Sequence, residues 1–210
     1  IWDITERKEA EDRIQKLALY DPLTGLANRR LMREKLSQSL ASSRQNGRWG
    51  GLIMLDLDNF KTLNDTKGHE IGDELLVEVA NRLYQCVRKS DTVSRLGGDE
   101  FVVILEDVGT DMNEAKEYSL DIGEKIRHSL SKKYLLNGGK IIHHGSSSVG
   151  VTTFSGQLGD EGTLLKQSDI AMYEAKETGR NRVCLYNEKR LQEINQKSMM
   201  ILDLQSAIKK

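Results

Sequence analysis

Arg95-Leu96-Gly97-Gly98-Asp99-Glu100-Phe101 is the stretch on which the fold turns. It joins two short apolar runs, Thr92 to Leu96 and Phe101 to Leu105, with only Gly97-Gly98-Asp99-Glu100 between them. Adjacent glycines permit the backbone angles of a tight turn, so the segment predicts a β-hairpin that carries two acids at its turn.

Upstream of the hairpin, Gly51 to Leu57 is almost continuously aliphatic and is broken by Asp56, a pattern that suits a buried strand delivering an acid at its C-terminal end. Between this strand and the hairpin, Ile71, Leu75, Val79, Leu83 and Val87 recur at helical spacing. Earlier still, Asp21-Pro22-Leu23-Thr24-Gly25 breaks a polar helix expected over residues 3 to 19, and a second helix starts near Asn28 with Met32, Leu36 and Leu40 on one face. Downstream, the patterning predicts a helix from about Asp111 to Leu130, a strand near Ser146 to Thr153, a helix near Gly162 to Thr178 and a last strand at Arg182 to Tyr186. Leu136 to Gly145 reads as a plain loop or hairpin; adjacent histidines on a strand point to opposite faces, which argues against a metal site at His143 and His144. Alternating helix and sheet with a central hairpin predicts an α+β domain.

The 210 residues, 38% of them hydrophobic, suffice for one core of ordinary size. The boundaries fall at residues 1–20 for an N-terminal linker helix, 21–187 for the domain and 188–210 for a connector helix, where Leu191, Ile194, Ile201 and Ile208 give a heptad-like spacing. A net charge of −1 gives no global reason to expect a nucleic-acid polymer or direct membrane contact, so phosphate binding must be local. Cys86 and Cys184 lie in apolar runs and read as buried free thiols. No apolar run approaches membrane-spanning length, which predicts a cytoplasmic domain. The chain opens on Ile1 rather than Met, so we expect a segment of a longer protein, with room for a membrane anchor in its other parts.

Three features carry chemistry: Asp56 at a strand end, Asp99 and Glu100 at the hairpin, and Lys176 with Arg180 one helical turn apart. Hard oxygen donors at Asp56 and Asp99 suit Mg²⁺, and cations at i and i+4 on one helix face can clamp a polyphosphate. Acids at a hairpin tip and a Lys/Arg pair on a helix are also ordinary solvated features. Asp56 is harder to dismiss, because a carboxylate ending an aliphatic strand costs free energy unless it is paired, coordinated or wet.

The motif Arg95 to Phe101 resembles the signature of the GGDEF family of diguanylate cyclases. Asp21-Pro22-Leu23-Thr24-Gly25-Leu26-Ala27-Asn28-Arg29 is similar to the family's opening motif, and Asp56-Leu57-Asp58-Asn59-Phe60-Lys61 with Asn64-Asp65 to its metal and guanine segment. Gly68-His69, Gly72-Asp73, Ser148 to Val151 and Asp169 through Lys176 to Asn181 extend the match, which covers Asp21 to about Tyr186.

The resemblance implies a palm-like, ferredoxin-like α+β fold, with a mainly antiparallel sheet flanked by helices and the hairpin at the active edge. It implies condensation of two GTP into cyclic di-GMP across a homodimer. Two Mg²⁺ ions, with Mn²⁺ a substitute, are implied at Asp56, the Leu57 carbonyl, Asp99 and Glu100, the last two also catalytic. GTP contacts are implied at Phe60, Lys61, Asn64, His69, Asp73, Arg95, Gly97, Gly98, Lys176 and Arg180, with Asn64 and Asp73 reading guanine. Arg88 and Asp91 resemble an inhibitory site for cyclic di-GMP, although R-x-x-D alone equally fits a surface salt bridge. A PAS-like sensor before the domain and an EAL phosphodiesterase domain after it are the implied neighbours. Two rivals stay open at this point. One is a silent GGDEF module that binds GTP or cyclic di-GMP and regulates a neighbouring phosphodiesterase. The other is a mononucleotide cyclase of related fold.

Overall fold

The computed structural model describes residues 18–156 and 159–188. In chain order these form α1 (Arg29–Asn46), β1 (Trp49–Leu57), α2 (Phe60–Lys67), α3 (His69–Cys86), β2 (Thr92–Gly97), β3 (Glu100–Gly109), α4 (Met112–Leu130), β4 (Tyr134–Leu136), β5 (Ile141–His143), β6 (Ser147–Phe154), α5 (Glu161–Glu177) and β7 (Arg182–Leu185). The helix expected over residues 3 to 19 lies outside the described residues except at Ala18 and Leu19, and the heptad-like segment from Leu191 lies wholly outside them.

β1 is buried because it sits mid-sheet. The strand order is β2-β3-β1-β6-β7, with β1 antiparallel to both β3 and β6 and only β6–β7 parallel. Its side chains then divide with period two. Leu52 and Met54 join Met32, Leu36 and Leu40 of α1 and Leu164 and Met172 of α5 on one face. Ile53, Leu55 and Leu57 join Leu75, Leu76, Val79 and Leu83 of α3 and Ile126 of α4 on the other. A strand covered by helices on both faces has no polar side to show, which is why its sequence lacks alternation. The result is the α+β, mainly antiparallel architecture expected, with the β2–β3 hairpin forming one edge.

Local signals set the helix ends. The Asn28 side chain accepts from the amides of Arg30 and Leu31 to start α1, and Gly47, at φ 70°, ends it by donating to the Ser43 carbonyl. α5 packs tightly onto β6 because position 150 is glycine: a Cβ there would lie 2.1 Å from the Ser168 carbonyl oxygen and 2.2 Å from the Met172 nitrogen.

Two elements differ from the expectation or sharpen it. Phe60–Lys67 is a separate helix, α2, started by Asn59 at φ 61° and closed by Gly68 at φ 91°; its only buried residue is Leu63, so it left no apolar period to read. Segment 136–145 is part of a hairpin, with β4 paired to β5 and Tyr134 opposite His143. His143 leans toward the Tyr134 ring, 6.1 Å between centroids, and His144 is exposed. Both cysteines are buried and unbridged. Among the described residues, no helix is long and apolar enough to cross a membrane.

Candidate active site

The acids converge where β1 ends. Sheet register sets Asp56 between Glu100 of β3 and Ser148 of β6, and the Leu57 amide donates to the Asp99 carbonyl at 3.4 Å. Gly97 and Gly98, at φ 137° and 53°, adopt the conformations that a side chain resists, so the strand can fold back within two residues and hold Asp99 beside Asp56. The Asp56 carboxylate is mostly buried and forms an ion pair with Lys176 Nζ of α5 at 2.8 Å. Burial and the negative charge of Asp56 push Asp99 above the usual carboxylate range; a backbone hydrogen bond and Lys176 pull against this, while Glu100 adds to it.

Arg95, implied as a GTP contact, is engaged elsewhere. Its guanidinium donates to the Gly98 carbonyl at 2.8 and 3.0 Å and to both Asp21 oxygens at 3.1 and 3.2 Å. Asp21 also accepts from the Thr24 amide and hydroxyl at 2.8 and 2.6 Å. The opening motif and the hairpin turn are therefore one hydrogen-bonded unit, and Arg95 is its joint.

Beyond β1, helices α2 and α3 meet at Asn64 and Gly72. A Cβ on Gly72 would lie 1.9 Å from Asn64 Oδ1 and 3.2 Å from Phe60 Cζ, so only glycine lets the helices come this close with Asn64 in place. Asn64 Oδ1 is buried and has no hydrogen-bond partner among the described residues. Such an orphan is costly, and a site that a ligand completes is one reason to retain it. Asp73 follows Gly72 and is exposed, as are Lys61 and His69 at the surrounding positions.

Lys176 and Arg180 do not share a helix face, contrary to the sequence reading. α5 stops at Glu177 and Thr178 caps it, and Gly179, Arg180 and Asn181 follow at φ 122°, 59° and 47°. Lys176 points to Asp56 from the last turn, while Arg180 is carried by a left-handed loop, exposed. The residue that holds this loop drew no functional role from the sequence. Asp58, 9% exposed, accepts from Ser146 Oγ, Ser148 Oγ and the Asn181 amide.

Arg88 and Asp91 form no bare salt bridge. Asp91 accepts from the amides of Arg88 at 2.8 Å and Glu106 at 3.2 Å, and the Arg88 guanidinium lies 4.6 Å from the centroid of the Tyr118 ring. A cavity of about 810 Å³ opens near Trp49, at the opposite end of β1 from Asp56, and none of the acids above lines it.

A divalent ion fits the donor set at Asp56 and Asp99. Burial, and then the charge of Asp56, disfavour ionisation of Asp99, and a cation between the two carboxylates would relieve both. Among the described residues no three His, Cys, Asp or Glu side chains form a ligand group. Mg²⁺ commonly takes one or two carboxylates and completes its shell with phosphate and water.

Known proteins resemble this chain over most of its length. The family described as diguanylate cyclase, GGDEF domain, matches residues 18–182. The bifunctional diguanylate cyclase/cyclic di-GMP phosphodiesterase MucR of Pseudomonas aeruginosa is 33% identical over 208 residues, 98% of this chain and 29% of MucR. The response regulator PleD of Caulobacter vibrioides is 39% identical over 173 residues, 82% of this chain and 37% of PleD. The chain thus spans about a third of the length of these curated relatives. Among solved structures, the coiled coil and GGDEF domain of DgcB from Caulobacter crescentus in complex with c-di-GMP superposes with a TM-score of 0.76 at 25% identity, covering 87% of this chain and 93% of that one.

Proposed function

Because the chain belongs to the GGDEF family of diguanylate cyclases, we propose that it condenses two GTP molecules into cyclic di-GMP and two pyrophosphates. The observation that carries the reading is the complete acid set at the end of β1: Asp56 in register with Glu100, and Asp99 beside them. A module that only binds nucleotide has no need to hold the Asp99 carboxylate within reach of the charges of Asp56 and Glu100.

In this reading guanine enters between α2 and α3. Asn64 supplies an acceptor that has no partner among the described residues, and Asp73 accepts from the N1–H and N2–H₂ groups, a pairing that adenine cannot offer. Phe60, Lys61 and His69 line the approach. Lys176 and Arg180 take the outer phosphates from two sides, one from a helix end and one from the loop. Arg95 keeps the Gly97-Gly98 turn in the shape that presents Asp99.

Asp56, the Leu57 carbonyl and Asp99, with Glu100 adjacent, would hold two Mg²⁺ ions, or Mn²⁺ in their place. Bound there, the ions would supply charge neutralisation at the triphosphate and lower the pKa of the attacking hydroxyl. Each 3′-oxygen bonds to the other nucleotide's α-phosphorus as the bond to pyrophosphate breaks, and Glu100 takes the hydroxyl proton in this reading. One domain offers one guanine cradle, so catalysis requires two domains face to face about a two-fold axis. Arg88 and Asp91 serve as the product-binding inhibitory site. Residues 21–187 form the catalytic domain, with 1–20 and 188–210 as linkers to a PAS-like sensor and an EAL domain; the double activity named for MucR supports that context. The domain works in the cytoplasm.

The test is incubation with GTP and Mg²⁺ over a protein concentration series, with chromatography of products. Cyclic di-GMP that rises faster than linearly with protein and vanishes in an Asp99→Ala, Glu100→Ala control is expected. GTP binding without product, even when the protein is artificially dimerised, would overturn the reading in favour of a regulatory module.

A further inference from the structure

We infer that Asp58 is a positioning residue for the phosphate side of the site: its buried carboxylate clasps the Arg180 loop to the acid-bearing end of β1. The inference rests on the cyclase reading above, in which Arg180 holds phosphate.

A carboxylate as buried as that of Asp58 needs compensation. It receives three donors from two separate segments. Oδ2 accepts from Ser146 Oγ at 2.6 Å and from the Asn181 amide at 3.1 Å, and Oδ1 accepts from Ser148 Oγ at 2.7 Å. The Asp58 amide in turn donates to the Ser146 carbonyl at 2.9 Å, which extends the β1–β6 pairing past the acids. Asp58 therefore serves the protein rather than a ligand.

What it holds is a backbone that does not hold itself. Arg180 and Asn181 are consecutive non-glycine residues in the left-handed region, a conformation that L-residues adopt at a cost and keep only when neighbours fix it. Four bonds fix it here: the Arg180 amide to the Ala175 carbonyl at 2.9 Å, Arg182 Nε to the Arg180 carbonyl at 3.3 Å, the Asn181 amide to Asp58, and Arg127 of α4 to Asn181 Oδ1 at 3.2 Å. Of these, only the Asp58 bond references the loop to β1, two residues from Asp56. Lys176 lies inside α5 and does not depend on it. Loss of the clasp should thus misplace Arg180 and spare both Lys176 and the guanine cradle on α2 and α3.

The experiment measures affinities of the whole chain for GTP and for GMP with Mg²⁺ in the wild type, Asp58→Ala and Asp58→Asn. In Asp58→Ala, GTP binding is expected to weaken about tenfold, the loss of one charge-assisted contact, with GMP binding held within about twofold. Asp58→Asn recovers most of the GTP affinity, because the amide oxygen can still accept from Ser146 and Asn181 while its NH₂ donates to Ser148 Oγ. A parallel loss for GTP and GMP would show a general structural role and overturn the inference, as would unchanged GTP affinity or failure of Asn to rescue. Should Asp58→Ala not fold, Ser146→Ala removes one donor from the same oxygen and must shift the GTP-to-GMP ratio in the same direction by a smaller factor. Amide hydrogen exchange without nucleotide separates the two proposals. If the wild type binds GTP no better than GMP, the nucleotide reading fails. The clasp then stands only if Asn181 exchanges faster in the variant while the β1–β6 amides do not.

Discussion

Lys176 Nζ lies 2.8 Å from Asp56 Oδ2, so the last turn of α5 is tied by charge to the end of β1. The carboxylate it occupies is the one proposed to hold metal, and the ammonium is the one proposed to hold phosphate. The pair therefore competes with cation binding until nucleotide draws the lysine away. Lys176→Ala should tighten Mn²⁺ binding in the absence of nucleotide by about two- to fivefold, the worth of a partly exposed ion pair, while weakening GTP binding. Water-proton relaxation with Mn²⁺ measures the first and calorimetry the second. Unchanged or weaker Mn²⁺ binding would mean that the pair does not compete.

Gly72 and Asn64 are coupled by space. Gly72→Ala should be tolerated by the fold, since alanine favours helix over glycine by about 1 kcal/mol and the Asn64 side chain can swing aside to make room. Swinging aside empties the cradle, so GTP affinity should fall about tenfold, the worth of a lost hydrogen bond in a desolvated site. Asn64→Ala should lower GTP affinity comparably and reduce, though not erase, preference over ATP because Asp73 stays in place, with the unliganded melting temperature unchanged or raised because a buried orphan acceptor is gone. A variant that melts normally and keeps full GTP preference would rule out this cradle.

How far the sequence exposed these features follows from their range. Leu52 to Leu57 could be read as a buried strand because burial on both faces leaves an aliphatic run, and the hairpin because Gly97-Gly98 is itself the turn. α2 was hidden by its single buried side chain. The Lys176–Arg180 spacing suggested a shared helix face, but the helix ends at Glu177, close to the Thr178 end expected, and Gly179 begins a left-handed loop that carries Arg180 away. Asp58 and Arg95 could not be assigned their roles, because their partners lie far away in sequence: Ser146, Ser148 and Asn181 for one, Asp21 for the other.

Asp21 links folding stability to pH. Burial raises its pKa, but hydrogen bonds from the Thr24 hydroxyl and amide and from Arg95 outweigh this, leaving the carboxyl below its ordinary value of 3.8. The folded state thus releases the proton more readily than the unfolded chain. The resulting stability is full above the ordinary value and is lost as pH falls through the folded one. Asp21→Asn should cost about 1–2 kcal/mol at pH 7, and the gap from wild type should close as the pH falls below the ordinary carboxyl value and through the lower folded one. Urea midpoints at pH 7 and in acid test this; a gap independent of pH would assign the loss to packing.

Arg88 and Asp91 should separate where a simple inhibitory pair would not. The Asp91 carboxylate closes the α3–β2 corner by accepting from the Arg88 and Glu106 amides, so Asp91→Ala should destabilise the fold by about 1–2 kcal/mol. The Arg88 side chain is exposed and rests on the Tyr118 ring, so Arg88→Ala should cost no more than about 1 kcal/mol. If cyclic di-GMP binds here, Arg88→Ala should abolish product inhibition with initial rates intact, because the guanidinium is the group free to turn from Tyr118 to a guanine edge or phosphate. Asp91→Asn should keep part of both functions, since its one remaining oxygen can cap only one amide. Progress curves for cyclic di-GMP formation beside denaturation midpoints decide the matter: retained inhibition in Arg88→Ala would place the inhibitory site elsewhere, and equal destabilisation by both alanine variants would contradict the assignment of the corner to Asp91.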